Sequence, residues 1–176
     1  VISYTAQAPG ARYGSEFAGT LADVGGYSLN YHKHIHTGEG GVLVTNDPDI
    51  AERLQLIRNH AEAVVGPKGV TDLTNMVGFN FRLGEIEAAI GIEQLKKLKD
   101  IAAGRAQIAQ QLNEGLKGLA GITTPVVRDD CSHVYYVYPL ILNPSELPVD
   151  KYKLCEALTA EGVPSLFPQF ANVHLL

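Results

Sequence analysis

A single lysine stands among three histidines in the stretch YSLNYHKHIHTGEGGVLVTND, which spans residues 27–47. His32, His34 and His36 surround Lys33, and a glycine-rich run follows them. A lysine that loses its charge becomes a nucleophile and forms Schiff bases with carbonyl compounds. Histidines that alternate along a strand share one face, as a metal site requires, and glycine-rich loops can bind phosphate. The stretch therefore leaves covalent catalysis, metal binding and phosphate binding open.

The metal and phosphate hypotheses each lack part of their usual residue set. No Asp or Cys is placed near the histidines as a fourth metal ligand. Gly38, Gly40 and Gly41 precede a predicted strand rather than a helix, and their spacing fits neither GxGxxG nor a P-loop. We therefore expect no metal site here, and we expect the glycines to allow a close backbone approach beside Lys33. On spacing alone, a surface role for Lys33 remains open.

Composition narrows the class of protein and its partners. The chain has 176 residues, a formal net charge of −5 and no clustered basic run, which argues against nucleic acid as a partner. Its apolar runs are shorter than the roughly 20 residues of a membrane helix. Cys131 and Cys155 lie far apart and predict reduced thiols. We expect a soluble cytoplasmic protein that binds neither nucleic acid nor membrane.

The hydrophobic pattern predicts an α/β fold. Strands are predicted at VISYTAQA, DVGGYSLN, GGVLVTND and HVYYVYPLIL, the last of which would pack Tyr135, Tyr136 and Tyr138. Helical spacing appears in DIAERLQLIRNHAEA, LGEIEAAIGIEQLKKLKDI, GRAQIAQQLNEGLKGL and VDKYKLCEALTAEGV. The glycine-containing run VVGPKGVTDLTNMVGFNF predicts a long loop. We expect a larger domain over residues 1–120 and a small, incomplete α/β domain over residues 121–176.

Three ordered motifs resemble a known family. AQAPGA, the Lys33 stretch and GFNFRLGEIEAAIGIEQLKKL are similar to segments of the DegT/DnrJ/StrS-type sugar aminotransferases. The resemblance implies the fold of aspartate aminotransferase (type I of the pyridoxal-phosphate enzymes). Residues 1–120 would then be the later part of the cofactor-binding domain with its connecting helices. The implied activity is transfer of an amino group, from a donor such as glutamate, to a keto sugar that is linked to a nucleotide.

The resemblance also implies roles for individual residues. Lys33 matches the lysine that binds pyridoxal 5'-phosphate as a Schiff base, and Ser28 matches the serine that binds the cofactor phosphate. Gln7 matches a glutamine beside the pyridine ring and its 3-hydroxyl. Asn80 matches an asparagine that reaches the phosphate site of the neighbouring subunit, which implies a homodimer. Lys33 also argues against the dehydratase branch of the family, in which a histidine replaces the lysine.

Two departures from the family pattern concern Tyr4 and the start of the chain. The family has an aspartate that binds the pyridinium nitrogen where this chain has Tyr4, and a neutral phenol is a poorer counter-ion. The chain opens at Val1 without the family's N-terminal portion, so we expect either a piece of a longer enzyme or a truncated relative. The alternative function is that of an inactive, dimeric binding or structural protein.

Overall fold

The computed structural model describes residues 1–62 and 76–168. Within them lie seven strands and four α-helices. The strands are β1 (Ile2–Tyr4), β2 (Arg12–Tyr13), β3 (Glu16–Phe17), β4 (Val24–Ser28), β5 (Gly41–Val44), β6 (Ile122–Thr123) and β7 (Ile141–Leu142), and the helices are α1 (Pro48–Arg58), α2 (Glu85–Leu95), α3 (Leu98–Leu116) and α4 (Lys151–Ala160). Most of the predicted loop VVGPKGVTDLTNMVGFNF lies outside the described residues. The mixed α/β composition that the sequence predicted is confirmed.

The first three predicted strands form one small sheet in the order β1–β4–β5. β1 pairs parallel with β4, and β4 pairs antiparallel with β5. Gly25, inside β4, lies so close to the backbone of Gly19 that a Cβ at position 25 would meet the Gly19 carbonyl oxygen. Glycine at position 25 therefore permits a close approach between β4 and the turn that contains Gly19.

α1 begins at Pro48, one residue before the predicted start, and Asp47 caps its N-terminus. Asp47 accepts hydrogen bonds from the backbone N–H groups of Asp49 and Ile50 at 2.9 and 3.1 Å, and Pro48 occupies the first helical position. Both features favour helix initiation, because they satisfy or remove N–H groups that have no partner within the helix. The predicted amphipathic helix after β5 is confirmed.

The helical region after residue 84 differs from the prediction in its break and its exposure. α2 ends at Leu95 and α3 begins at Leu98, whereas the sequence suggested that the second helix starts near Gly104. The predicted apolar stripe of α2 is not buried within the described residues; its exposed members include Ile86, Ile90, Ile92 and Leu95. Gly91 of α2 instead lies close to Thr37, because a Cβ added at Gly91 would be 3.2 Å from the Thr37 side chain.

The chain divides into two compact units. The first comprises residues 1–110 and 127–137, and the second comprises residues 111–126 and 138–176. The first unit contains the small sheet and its buried apolar residues, which include Ala6, Ala11, Leu29, Ile35, Leu56, Ala61, Ala109 and Val134. In the second unit, β6 pairs antiparallel with β7, and Tyr138 donates a hydrogen bond to Asn113 at 2.5 Å. The expected domain boundary near residue 121 stays a prediction.

The strand predicted over HVYYVYPLIL is wrong for most of its length. Only Ile141–Leu142 is a strand, and Tyr135 has a φ of +46°, which a regular strand does not allow. The carbonyl oxygens of residues 134–136 are bound by side chains rather than by a neighbouring strand. Within the described residues, no helix is long and apolar enough to cross a membrane.

Candidate active site

Lys33 lies in the connection between β4 and β5. Two backbone hydrogen bonds, from Leu29 to Gly40 and from Thr37 to Leu29, at 2.8 and 3.0 Å, close the base of this connection. A tight turn then places Lys33, whose backbone N–H donates to the carbonyl of Asn30 at 3.0 Å. Residues 31–40 form no strand, so the three histidines do not share a strand face as the metal hypothesis required. We call residues 30–39 the lysine loop.

Close packing fixes the end of the lysine loop. A Cβ at Gly40 would meet the Thr37 hydroxyl at 2.8 Å and the Leu83 side chain at 3.2 Å. Thr37 is buried, and its hydroxyl donates to the carbonyl of Glu39 at 2.9 Å. A close approach therefore occurs at Gly40, but its partners are Thr37 and Leu83 rather than Lys33, beside which the sequence predicted it.

The ammonium group of Lys33 lies over the ring of Tyr136. The distance from Nζ to the ring centroid is 4.4 Å, within the range of a cation–π interaction. Within residues 1–62 and 76–168, no carboxylate forms an ion pair with Lys33. The lysine is half-buried, and its amine lies against an aromatic face.

A short segment of the first unit carries Tyr136 to the lysine loop. His34 Nε2 donates a hydrogen bond to the carbonyl of Val134 at 2.7 Å. Arg105, on α3, donates from one nitrogen to the carbonyls of Tyr135 and Tyr136 at 3.0 and 3.4 Å. The backbone N–H of Tyr135 donates to the ring nitrogen of His133 at 2.9 Å. We call residues 133–136 the tyrosine segment; it is attached to both the lysine loop and α3.

His34 is buried, and its pKa is lowered. Burial is the main cause that lowers the pKa of His34, and the positive charges of Arg105, Lys33 and His133 lower it further, while the hydrogen bond to Val134 opposes the shift. Burial also lowers the pKa of His133. His34 carries a proton on Nε2 to bind the Val134 carbonyl, and its Nδ1 has no hydrogen-bond partner among the described residues.

The three histidines have different environments. His32 is exposed and its ring contacts Tyr31 and Tyr136, His34 is buried, and His36 is half-buried. Across residues 1–62 and 76–168, no group of three or more His, Cys, Asp or Glu side chains lies close enough to hold a metal ion. The described structure gives no support to the metal hypothesis.

The other cofactor-binding residues expected near the first strands are Tyr4, Gln7 and Ser28, and they lie near one end of the sheet. Because β1 and β4 are parallel, their C-terminal ends lie at the same end of the sheet. Tyr4 ends β1 and is 83% exposed, and Gln7 lies exposed in the turn that follows it. Ser28 ends β4, and its hydroxyl accepts a hydrogen bond from the backbone N–H of Asn30 at 3.2 Å. The lysine loop starts from this end of the sheet.

Asn80 lies elsewhere on the first unit. It is exposed and forms an antiparallel bridge with Asn59, just after α1. The rings of Phe79 and Phe81 on either side of it are stacked with centroids 5.0 Å apart. This placement leaves Asn80 on an exposed surface beside exposed aromatic rings, as a residue that acts on a second subunit would be. Its role there stays a prediction.

Comparison with known proteins identifies the family. A model of the DegT/DnrJ/EryC1/StrS aminotransferase family matches residues 1–173. The chain belongs to this family. The present chain is 38% identical over 142 residues to the dTDP-3-amino-3,4,6-trideoxy-alpha-D-glucose transaminase of Micromonospora megalomicea. The match covers 78% of the present chain and 37% of that transaminase.

Solved structures of the aminotransferase family show the same fold. DesV of S. venezuelae, in complex with a ketimine intermediate, has a TM-score of 0.83 and 31% identity over 98% of this chain and 43% of its own. GDP-4-keto-6-deoxy-D-mannose-3-dehydratase of E. coli, with bound hydrated PLP, has a TM-score of 0.75 and 27% identity over 88% of this chain and 42% of its own. The predicted fold class is confirmed, and the chain spans less than half the length of these relatives.

Sequence reasoning missed Tyr136, His34 and Arg105 as parts of this site. Tyr136 was assigned to strand packing, Arg105 to a helix, and His34 only to a possible metal site. The run VYYVY carries one warning against a strand, because its adjacent tyrosines at 135 and 136 break a strict two-residue alternation. Nothing in the local sequence indicates the long-range contacts of Arg105 and His34 with this segment.

Proposed function

We propose that this chain is the part of a pyridoxal-phosphate-dependent sugar aminotransferase that contains the cofactor-binding lysine. The observation that carries the proposal is the placement of Lys33. Its amine lies over an aromatic ring, without an acidic partner among the described residues, in a loop that leaves the carboxyl edge of a parallel strand pair. Ligands of α/β sheets commonly bind outside this edge.

The chemistry of the residues at this edge fits the cofactor. The Lys33 amine can bond covalently to an aldehyde, the Ser28 hydroxyl can donate to a phosphate, and the Gln7 amide can bind a ring hydroxyl. Tyr4 supplies a neutral phenol where the family has a carboxylate, which weakens binding of the ring nitrogen. A solved relative that contains bound PLP supports pyridoxal phosphate as the cofactor.

The residues of this chain would bind and orient the cofactor, and Lys33 would move a proton. When bound, the cofactor acts as an electron sink for the substrate carbon that carries the amine. Once free and neutral, Lys33 Nζ would accept a proton from that carbon and deliver it to the C4′ carbon of the cofactor, as a general base and then a general acid. Ser28 anchors the phosphate end and Gln7 orients the ring, so that the reacting carbon lies within reach of Lys33.

The named relatives support a substrate class. The family includes a transaminase named for a dTDP-linked amino sugar, so we assign a nucleotide-linked keto sugar as the acceptor and an amino acid such as glutamate as the donor. The exposed apolar residues of α2, together with the exposed Phe79 and Phe81, support a homodimer in which Asn80 reaches the partner's phosphate site. The cytoplasmic location expected from the cysteines stays a prediction.

Amino transfer from glutamate tests the proposal. The purified chain is loaded with pyridoxal phosphate and given L-glutamate, and the release of 2-oxoglutarate is measured in a single turnover. We expect release in proportion to the loaded chain, and loss of release in Lys33→Arg, which keeps the charge but cannot form the same linkage. Lys97→Arg, in the exposed break between α2 and α3, is the matched control. Release that survives Lys33→Arg would contradict the proposal.

The departure at Tyr4 favours a second candidate function. A site that binds the cofactor and the sugar without moving protons would be a binding or structural protein of the same fold. That protein would release no 2-oxoglutarate, whether or not it retains pyridoxal phosphate on dialysis. The single-turnover measurement therefore separates the two candidates, because only the first one produces the keto acid.

A further inference from the structure

The contact between Lys33 and Tyr136 goes beyond simple packing. A protonated amine is attracted to the electron-rich face of an aromatic ring, whereas a neutral amine or an imine nitrogen is attracted much less. Lys33 Nζ lies 4.4 Å from the Tyr136 ring centroid. The ring therefore attracts the Lys33 nitrogen while it is a free, charged amine, and attracts it less once the nitrogen is bonded to a carbonyl carbon.

The position of the Tyr136 ring is fixed by several independent contacts. Arg105 binds the carbonyls of Tyr135 and Tyr136, and His34 binds the carbonyl of Val134. Tyr135 has a left-handed φ of +46°, a conformation that costs energy in a bulky residue and persists only where neighbouring contacts hold it. The rings of His32 and His34 each lie 6.0 Å from the Tyr136 ring. The tyrosine segment thus holds one aromatic face against the amine.

We propose that Tyr136 is a positioning residue that holds the amine of Lys33 whenever this nitrogen is not covalently bound. The proposal rests on the proposed function, in which Lys33 alternates between a bound and a free state. In the free state, the Tyr136 ring keeps Nζ at the site instead of letting the side chain move into solvent. The arrangement keeps the amine near its reaction partners, so that after losing its proton it can re-form its linkage at the end of each cycle.

The test measures the reactivity of Lys33 in the cofactor-free chain. Trace labelling with acetic anhydride, followed by mass spectrometry, gives the acetylation rate of Lys33 relative to that of exposed Lys97. Tyr136→Leu removes the ring but keeps an apolar side chain, and Tyr136→Phe keeps the ring and removes the hydroxyl. We expect labelling of Lys33 to rise about 2- to 5-fold in Tyr136→Leu, as the loss of a cation–π contact implies. Tyr136→Phe should stay close to the original chain.

The Tyr136→Phe variant distinguishes positioning of the Lys33 amine by the ring from a general loosening of the site. A merely structural role of the hydroxyl would make Tyr136→Phe as reactive as Tyr136→Leu, and that result would overturn the proposal. Unchanged labelling in Tyr136→Leu would also overturn it. If Tyr136→Leu does not fold, which circular dichroism would reveal, Tyr136→Met replaces it as a flexible side chain without a ring.

The same experiment keeps this proposal distinct from the proposed function. A chain that never binds pyridoxal phosphate would still show the labelling pattern of the three variants if Tyr136 holds the amine. In a chain that does bind the cofactor, a glutamate turnover followed by excess 2-oxoglutarate, which returns the cofactor to its aldehyde form, should restore borohydride trapping on Lys33 more slowly in Tyr136→Leu than in Tyr136→Phe. Equal recovery in the two variants would contradict the role of the ring in re-forming the linkage.

Discussion

Tyr4 ends β1 with an exposed side chain, opposite Gly26 in the register of the parallel pair. The family resemblance places the partner of the cofactor's ring nitrogen at this position. A phenol is neutral near pH 7, whereas a carboxylate carries the charge that stabilises a pyridinium. At the scale of the single residue, we therefore expect Tyr4 to lower the affinity of the chain for the cofactor.

Tyr4→Asp is expected to tighten the binding of pyridoxal phosphate. A charge-assisted hydrogen bond contributes about 1.5–3 kcal/mol, so the dissociation constant should fall by about tenfold or more. Tyr4→Phe, which has no hydroxyl, is the control and should show no gain. Fluorescence titration of the chain with the cofactor measures both. An aspartate variant that binds no better than Tyr4→Phe would show that this position does not face the ring nitrogen.

His34 makes the stability of the first unit depend on pH. Its pKa is lowered in the folded chain by burial and by the cations Arg105, Lys33 and His133, whereas the unfolded chain has the ordinary value of 6.5. The unfolded state therefore binds more protons as the pH falls below 6.5, so the stability that is present above this pH is lost as the pH falls through the folded value.

His34→Gln is expected to flatten this pH dependence. The glutamine amide can still donate to the Val134 carbonyl but does not titrate. Urea unfolding of the original chain at pH 7.5, 6.5 and 5.5 should show a free energy of unfolding that falls with pH, and the slope should be smaller in the variant. His32→Gln, at an exposed position, is the matched control and should keep the original slope. An unchanged slope in His34→Gln would assign the effect to other groups.

At the scale of elements, the sequence predicted most of the first unit but not the tyrosine segment. Strong local signals identify β1, β4, β5, α1 and α4, because period-two alternation, Asx caps and glycine ends act within a few residues. The position of the tyrosine segment depends on Arg105 and His34, which lie about 30 and 100 residues away in sequence. No local pattern encodes such contacts, so the apolar run HVYYVYPLIL predicts a strand that forms only at Ile141–Leu142.

The exposed face of α2 predicts an interface. Ile86 and Ile92 are 76% and 61% exposed, although the stripe they belong to has the spacing of a buried helix face. We expect dimers at micromolar concentration by analytical ultracentrifugation. Ile92→Glu should weaken association by about 100-fold or more, because a buried charge without a partner costs several kcal/mol. Lys99→Glu, which changes the charge of α3 at an exposed position, should leave the dimer intact; a monomeric original chain would contradict the interface.

At the scale of the whole molecule, the lysine loop and the tyrosine segment both belong to the first unit. That unit combines residues 1–110 with residues 127–137, so the chain returns to it after starting the second unit. Family membership could be predicted from three motifs in the first unit, and the comparison confirmed it. The return of residues 127–137 could not be predicted, because it follows from packing between distant segments rather than from any repeat or motif.

Covalent trapping on the purified chain is the most direct test of whether Lys33 is the lysine that binds pyridoxal phosphate. Pyridoxal phosphate is added to the 176-residue chain, the product is reduced with borohydride, and the modified lysines are mapped by mass spectrometry. If Lys33 is the cofactor-binding lysine, one pyridoxyl group per chain will be found on Lys33, and Lys33→Ala will remove it without raising the labelling of other lysines. If labelling is spread evenly over exposed lysines such as Lys97 and Lys99, and Lys33 is labelled no more than they are, Lys33 is not the cofactor-binding lysine.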